Sequence, residues 1–336
     1  MSLSIRFSEI LTRLKCRKKH KYEYIDELEP TKLDDRILVG LWGHAAIKCL
    51  LLGGSHDEAR NEIAQEMEKY FGKRTIEDLH LDMANLALSC AEEAVKRLNK
   101  KYTPIMIEEQ MKYVLPIYMG DKRIEVTLTG TPDFVAQEKE TGLSWLFDHK
   151  FRNQFRLPEA EQLNLQMTHY TYMLKKTKDI EVVGSKQFQI KPVLPKTPEI
   201  TAKGKISRKP ITSDWETYSA AVTANGENLI DYLDMRDKLD GKVFYDMDSA
   251  TAIRSWEEVD KVFNSEIIPV VKEIIHARET CGSDSYRCWD FGACNFCHYR
   301  SYCVADLKGE DLEYLRKSQF KKKGETLQVV EIDMEG

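Results

Sequence analysis

The sequence has no run of the roughly 18 consecutive apolar residues that a membrane-spanning helix needs. Its longest apolar stretch, around Ala45–Leu52, is interrupted by Lys48, so no membrane partner is expected. Charges are spread through the opening MSLSIRFSEILTRLKCRKKHKYEYI, where a secretory signal requires an apolar segment. The same basic, mildly amphipathic opening also suits an organelle transit peptide. A working helix is the preferred reading, and a soluble intracellular protein is expected. The chain lacks a Gly-x-x-x-x-Gly-Lys phosphate loop, which excludes a motor of that type, and it has no internal repeat. It also lacks positive charge overall, the net charge being −5. Affinity for an anionic polymer would have to come from local patches. Three clusters qualify: Arg13, Lys15, Arg17, Lys18, Lys19 and Lys21; Lys203, Lys205, Arg208 and Lys209; and Lys321, Lys322 and Lys323. Each alone is more often a solvated face or tail.

What is present is enough to build a core. The chain has 336 residues, 42% of them hydrophobic and 31% charged, which fits one large elaborated domain or two small ones. The first 100 residues are expected to form a helical layer: Ser4–Lys19, Asp34–Leu52 ended by Gly53-Gly54, Asp57–Tyr70 and Ile76–Asn99, with apolar residues three or four apart. Residues 101–194 change character. Ile105–Tyr118, Arg123–Gln137 and Gly142–Phe151 are rich in β-branched and aromatic residues and read as consecutive antiparallel strands. A helix from Pro158 to about Lys176 and a strand at Val182–Val193 follow. Residues 195–280 should hold an exposed loop, Pro195–Pro210, and helices at Asp214–Leu239 and Ser255–Glu279. A cysteine segment occupies 281–320 and a charged, loose tail 321–336.

One feature of the central block stands out. Gly130-Thr131-Pro132-Asp133 is followed fifteen residues later by Asp148-His149-Lys150. A hairpin turning near Glu140–Gly142 would bring Asp133 and Asp148 side by side, and strand parity points Asp148 and Lys150 to one face. Two carboxylates supply hard oxygen ligands for Mg²⁺ or Mn²⁺, and the peptide carbonyl of His149 could add another. Such a metal lowers the pKa of bound water and neutralises charge growing on a phosphate. The lysine can orient or deprotonate that water, or stabilise the oxyanion. Asp-x-Lys also arises by chance on exposed edge strands. Here Leu146-Phe147 and Phe151 flank it, so a strand that should be buried carries charge, and buried charge is expensive and usually functional. Gln166 and Tyr170, four apart on the following helix, share a face and could position a strand or the lysine. By itself Tyr170 is a core residue and Gln166 a surface one. His44 lies in the apolar helix Leu41–Ile47, where a lone histidine is more often core than ligand; two carboxylates lacking a third ligand tip the balance.

The ordered set His44, Gly130-x-x-Asp133, Asp148-x-Lys150 and Gln166-x-x-x-Tyr170 resembles the motif series of RecB-type nucleases in the PD-(D/E)xK superfamily. The start, Phe7 to Leu11 and then Cys16 to Tyr22, resembles the opening of those domains, where a cysteine precedes a basic-aromatic stretch. Many relatives have Glu where this chain has Asp148. The resemblance implies an α/β fold: a restriction-endonuclease-like mixed sheet flanked by helices, with a helical N-terminal layer and a cysteine-rich C-terminal helical region. It implies a Mg²⁺- or Mn²⁺-dependent deoxyribonuclease, an exonuclease acting on DNA ends. Asp133, Asp148, Lys150, Gln166 and Tyr170 would be catalytic, and His44, Asp133, Asp148 and His149 would be metal ligands. It also implies a cytoplasmic protein of a bacterial, archaeal or phage-infected cell, working in recombination, repair or DNA processing.

Eight cysteines are unevenly spread: Cys16, Cys49 and Cys90 are scattered, whereas Cys281, Cys288, Cys294, Cys297 and Cys303 cluster. A disulfide framework suits short secreted chains, so the cluster reads as a metal site. Cys288, Cys294, Cys297 and Cys303 could form a local zinc site, although such sites usually use two short Cys-x-x-Cys pairs and only one is present. The iron–sulfur nucleases that the chain resembles, AddB-like and CRISPR-associated exonucleases, take their fourth ligand from an N-terminal cysteine. On that resemblance Cys16, Cys294, Cys297 and Cys303 would hold a [4Fe-4S] cluster. Two other functions stay open. One is a nuclease-fold DNA-binding subunit serving a helicase or another recombination or replication protein. The other is a zinc-bearing nucleic-acid-binding protein without catalysis.

Overall fold

A computed structural model describes residues 3–31, 35–71, 78–288 and 291–323. The chain opens with a short strand, β1 (Leu3–Arg6), before α1 (Phe7–Lys15) and α2 (Arg17–His20). The expected single helix over Ser4–Lys19 is therefore corrected at both ends. Ile5 is a buried strand residue, because β1 finds a parallel partner far along the chain. At Cys16 the backbone becomes extended, with φ −162° and ψ 112°. The Cys16 sulfur accepts from the backbone N–H of Lys19 and so caps the start of α2. A π-helical turn (Lys21–Ile25) and strand β2 (Leu28–Pro30) follow.

The helices α3 (Asp35–Leu51), α4 (His56–Phe71) and α5 (Asp78–Lys101) form the expected N-terminal layer; the expected starts at Asp34 and Ile76 lie outside the described residues. Helix α3 is largely apolar, and Leu38, Trp42, Ala46 and Ile47 are almost wholly buried. The strands are β3 (Tyr102–Ile107), β4 (Met111–Met119), β5 (Lys122–Gly130), β6 (Phe134–Glu138) and β7 (Ser144–Phe151). Two of the expected strands are thus each two. One breaks at residues 108–110, where Glu108 has a left-handed φ of 42°. The other breaks at Thr131-Pro132-Asp133, where proline has no N–H to donate to a ladder.

After β7 come α6 (Glu159–Gln162), α7 (Leu165–Lys178) and β8 (Gly184–Ile190). The side chain of Asn164 caps α7 by accepting from the N–H of Gln166. Then follow α8 (Trp215–Ala224), α9 (Leu233–Leu239), β9 (Tyr245–Asp246), β10 (Thr251–Ile253), α10 (Trp256–Val262), α11 (Ile268–Glu279), α12 (Phe291–Asn295), α13 (Arg300–Lys308), α14 (Leu312–Gln319) and β11 (Phe320–Lys322). The expected helix over Asp214–Leu239 is broken between α8 and α9. The one over Ser255–Glu279 is continuous through a π-helical turn at Phe263–Ile267.

The main sheet runs β10-β8-β7-β6-β3, with β9 added to β8. Strands β7 and β8 are parallel and joined by the crossover helix α7, and the other neighbours are antiparallel. A second sheet has the order β1-β5-β4. The protein is therefore a mixed α/β fold with sheets flanked by helices. Alternation along the strands divides the core. Phe134, Phe147 and Phe188 pack with Trp42 and Ala46 of α3 and with α5. Val135 and Leu146 pack with Met167, Met173 and Leu174 of α7 and with α11. Gly43 is needed in α3, since a Cβ there would lie 2.2 Å from Cζ of Phe151.

The N-terminal helices close against the far end of the chain. Arg17 makes two hydrogen bonds to Glu273, at 3.0 and 2.9 Å. Arg278 clasps the buried Glu9 at 2.7 and 2.9 Å, and β2 pairs with β11.

Candidate active site

The sheet positions most of the candidate residues. Asp148, His149 and Lys150 lie on β7 opposite Gln187, Phe188 and Gln189 of β8. Lys150 donates from Nζ to Asp148 Oδ1 at 2.7 Å, and Gln187 donates to Asp148 Oδ2 at 3.3 Å. Asp148 is 1% exposed, so these two donors satisfy a carboxylate that would otherwise be costly to bury. Asp133 is not within a strand, as expected, but in the link before β6. From there its Oδ2 accepts the backbone N–H of His149 at 2.7 Å. That link shares its strained neighbourhood with Glu108, whose N–H donates to the Asp133 carbonyl at 3.2 Å.

His44 reaches the same carboxylate from α3, with Nδ1 3.6 Å from Asp133 Oδ2. The ligand atoms of His44, Asp133 and His149 all lie within 4.8 Å of one another. That donor set, two imidazoles and a carboxylate, fits a divalent ion. The trio shares His44, Asp133 and His149 with the expected ligand set. His149 joins through its imidazole, not only its peptide group. Asp148 stands outside the trio, because strand parity sends its side chain with Lys150 to the face of β7 opposite His149.

Electrostatics favour the trio as a ligand group. Burial, with His44 adding to it, drives His149 down to about 3. It is therefore a neutral imidazole with an unprotonated nitrogen, and its Nε2 has no hydrogen-bond partner. Its ring sits among Phe134, Phe188 and His44, with centroids 5.9–6.1 Å away. Burial works against the Lys150 ammonium, yet Asp148 and Asp133 outweigh it and hold Lys150 above its ordinary value. Burial also keeps Tyr170 a phenol, with Asp133 and Asp148 adding to the effect against the hydrogen bond from Gln166.

Gln166 donates to the Tyr170 hydroxyl at 3.3 Å, as their shared helix face predicts. Gly130 admits the Tyr170 ring, because a Cβ there would lie 2.7 Å from Cε1. Two neighbours escaped sequence reasoning. Gln187 lies in a strand whose every residue is buried, and its polar side chain there was the available signal. Glu108, 3.4 Å from Lys48, is raised by burial and by Asp133, against the pull of Lys48 and His44. Nothing in its sequence context distinguishes it from Glu109.

The cysteines converge elsewhere. Cys16, Cys288, Cys294, Cys297 and Cys303 line one cavity of about 420 Å³, walled by Tyr22 and Tyr299. Both rival ligand sets are therefore brought to the same place, Cys16 from the α1–α2 break and Cys288 from the loop after α11. Burial pushes the Cys294 and Cys297 thiols up, and neighbouring cysteines add to this. Cys49, Cys90 and Cys281 do not line it, and Trp289 of the aromatic segment is outside the described residues.

Comparison with known proteins finds a family match. The family model described as PD-(D/E)XK nuclease superfamily matches residues 5–304. No curated protein matches the chain. Among solved structures, the crystal structure of SSO0001 aligns over 68% of this chain and 78% of that one, at 12% identity and a TM-score of 0.25.

Proposed function

Because the chain belongs to the PD-(D/E)XK nuclease superfamily, whose members use divalent metals, we propose that it is a DNA nuclease hydrolysing phosphodiester bonds at DNA ends. The observation that carries this reading is the meeting of His44, Asp133 and His149 within 4.8 Å, one strand face away from the Lys150–Asp148 pair. His44, Asp133 and His149 would hold Mg²⁺ or Mn²⁺, and Asp148, which with Asp133 acts on Lys150, would complete the site. The ion supplies an acidified water and neutralises phosphate charge.

The chain's own residues do the rest. Lys150, kept protonated by its two carboxylates, acts as a charge that orients the nucleophile and stabilises the developing oxyanion, not as its base. Gln166 and Tyr170 place the scissile strand from α7. The exposed Lys15 of α1 would lie under the DNA, and among the described residues no helix is long and apolar enough to cross a membrane.

Cys16, Cys294, Cys297 and Cys303 would hold a [4Fe-4S] cluster. The meeting of Cys16 with the distant C-terminal cysteines in one cavity supports this. The cluster would make the protein a structural relative of enzymes that work beside a helicase or other recombination protein in DNA repair and processing.

The test is incubation of purified protein with end-labelled linear DNA and with circular DNA, in Mn²⁺ and in EDTA. Stepwise shortening of linear DNA only, lost in EDTA, is the expected result. Cleavage that persists in EDTA would remove the metal-dependent reading, and equal cleavage of circles would remove the exonuclease one. Broad visible absorption by anaerobically prepared protein checks the cluster.

A further inference from the structure

Strand β8 carries none of the residues assigned to the reaction, yet every residue of it is buried. Three of its polar side chains share the face of Asp148 and Lys150: Ser185 lies beside Leu146, Gln187 beside Asp148 and Gln189 beside Lys150. Each is committed to a different element. Ser185 donates to Glu161 of α6 at 2.6 Å, and Gln187 donates to Asp148 at 3.3 Å. Gln189, wholly buried, holds a backbone segment instead. Its Oε1 accepts the N–H of Arg156 at 2.6 Å, and its Nε2 donates to the Arg156 carbonyl at 3.4 Å. The same Oε1 accepts from Nη1 of Arg152 at 3.4 Å.

Arg156 belongs to the stretch between β7 and α6, which has no sheet or helix of its own to hold it. A buried amide that meets both the N–H and the carbonyl of one residue supplies there what a neighbouring strand would. What it holds is charge. Arg152 continues the alternation of Asp148 and Lys150, since its N–H still bonds the Ile190 carbonyl at 2.9 Å. Burial lowers Arg152, with Arg156 adding to this and Asp148 and Glu161 opposing it. Desolvation lowers Lys15 of α1, and Lys19 and Arg156 add to that. Arg156 is thus near both Arg152 and Lys15, and among the described residues neither guanidinium is in an ion pair. Cations gathered in this way repel one another, so a fixed backbone is needed to keep them together before an anion arrives.

Resting on the nuclease reading, we propose that Gln189 is a positioning residue: by clasping the Arg156 backbone it sets Arg152 and Arg156 beside Lys150 and Lys15, where DNA meets them together. Gln189 itself touches neither substrate nor metal and acts through the loop, as Gln187 acts through Asp148. An amide suits the task, because it offers one donor group and one acceptor group without adding charge; a carboxylate at the same place keeps only the acceptor half.

The test combines equilibrium binding of full-chain variants to a linear duplex in Ca²⁺, the rate of tryptic cutting after Arg152 and Arg156, and KM and kcat in Mn²⁺. Gln189→Leu removes both halves of the clasp and should raise Kd and KM about fivefold, the size of a net hydrogen-bond loss, with kcat changed less than KM. Trypsin should cut its loop about tenfold faster, because local opening becomes easier. Gln189→Glu keeps the acceptor and should hold the tryptic rate near wild type. In an Arg152→Ala/Arg156→Ala background, Gln189→Leu should weaken binding no further, since it acts only through those two side chains. Wild-type binding and tryptic rate in Gln189→Leu overturn the proposal, and so does a full further loss in that background. Should Gln189→Leu fail to fold, Arg156→Pro deletes the same N–H from the surface; binding equal to that of Arg156→Ala then overturns it. A wild-type protein that binds the duplex but never cuts it refutes the nuclease reading, and the binding and tryptic results still decide the role of Gln189.

Discussion

The site on β7 and the cysteine cavity are held by opposite means. Around β7, each charge has its partner before any ligand arrives: Lys150 on Asp148, Gln187 behind it, and a peptide N–H on Asp133. The surrounding strands fix the geometry to within a register. Around the cysteines, the side chains line a cavity between short helices and a loop, and burial raises the thiols of Cys294 and Cys297. A preorganised site loses function when a side chain goes and keeps its fold. A site assembled by its ligand loses both.

The sharpest way to break that comparison is at β7. Lys150→Ala should lower cleavage about a hundredfold to a thousandfold, the usual effect of removing a preorganised stabilising charge, with thermal unfolding shifted little. Asp133→Ala should be at least as severe, because it removes the ligand shared by His44 and the His149 N–H. Near-normal turnover by either variant would displace the site from β7.

Next in size are the cysteine variants. If a cluster joins Cys16 to Cys294, Cys297 and Cys303, Cys16→Ser should bleach the protein and destabilise it by about 4–5 kcal/mol, taking the loop-entropy scale of a long cross-link. Cys288→Ser should keep colour and stability. The reverse ranking, in colourless protein, would mean a zinc site.

A smaller effect separates packing from chemistry. Gly43→Ala places a Cβ 2.2 Å from Cζ of Phe151, so α3 or the ring must move, at a cost of about 1–3 kcal/mol. Because His44 is the next residue, metal affinity measured by calorimetry should fall with it; unchanged stability and affinity together would show that α3 does not set the His44 position.

The smallest concerns pH. His169 is fully buried among Phe7, Tyr170 and Phe263, and burial drives it down to about 3. The unfolded chain takes up that proton near pH 6.5 while the folded one does not. Stability is therefore lost as pH falls from about 6.5 toward 3, at up to about 1.4 kcal/mol per unit. His169→Phe should flatten the acid limb of a denaturant series by that amount; an unchanged slope would mean that His169 titrates normally.

Much of the β7 site could be read in advance because it is local. Asp148 and Lys150 interrupt an apolar strand, and parity follows from their spacing of two. The helix pair Gln166 and Tyr170 is local for the same reason. What escaped depends on distant partners. Ile5 fits a helical stripe with Ile10 and Leu14, and only β5, more than a hundred residues on, makes it a strand residue. Glu108 owes its importance to the proximity of Asp133 and Lys48, which no local pattern encodes. The role of His149 was assigned to its backbone, because a side chain on the far face of β7 from Asp148 has no visible reason to meet His44.

The clasp between Arg13 and Arg17 and the distant Glu273 also bears on how the chain is made. These partners are 260 and 256 positions apart, and β1 waits for β5. Ribosomes add about 5–20 residues per second, so the first helices emerge at least roughly ten seconds before the residues that hold them. In that interval the amphipathic face of α1 is exposed, and folding finishes only after Glu273 has left the exit tunnel. Shortening the chain before α11 should therefore yield aggregation-prone nascent protein, not a smaller working enzyme.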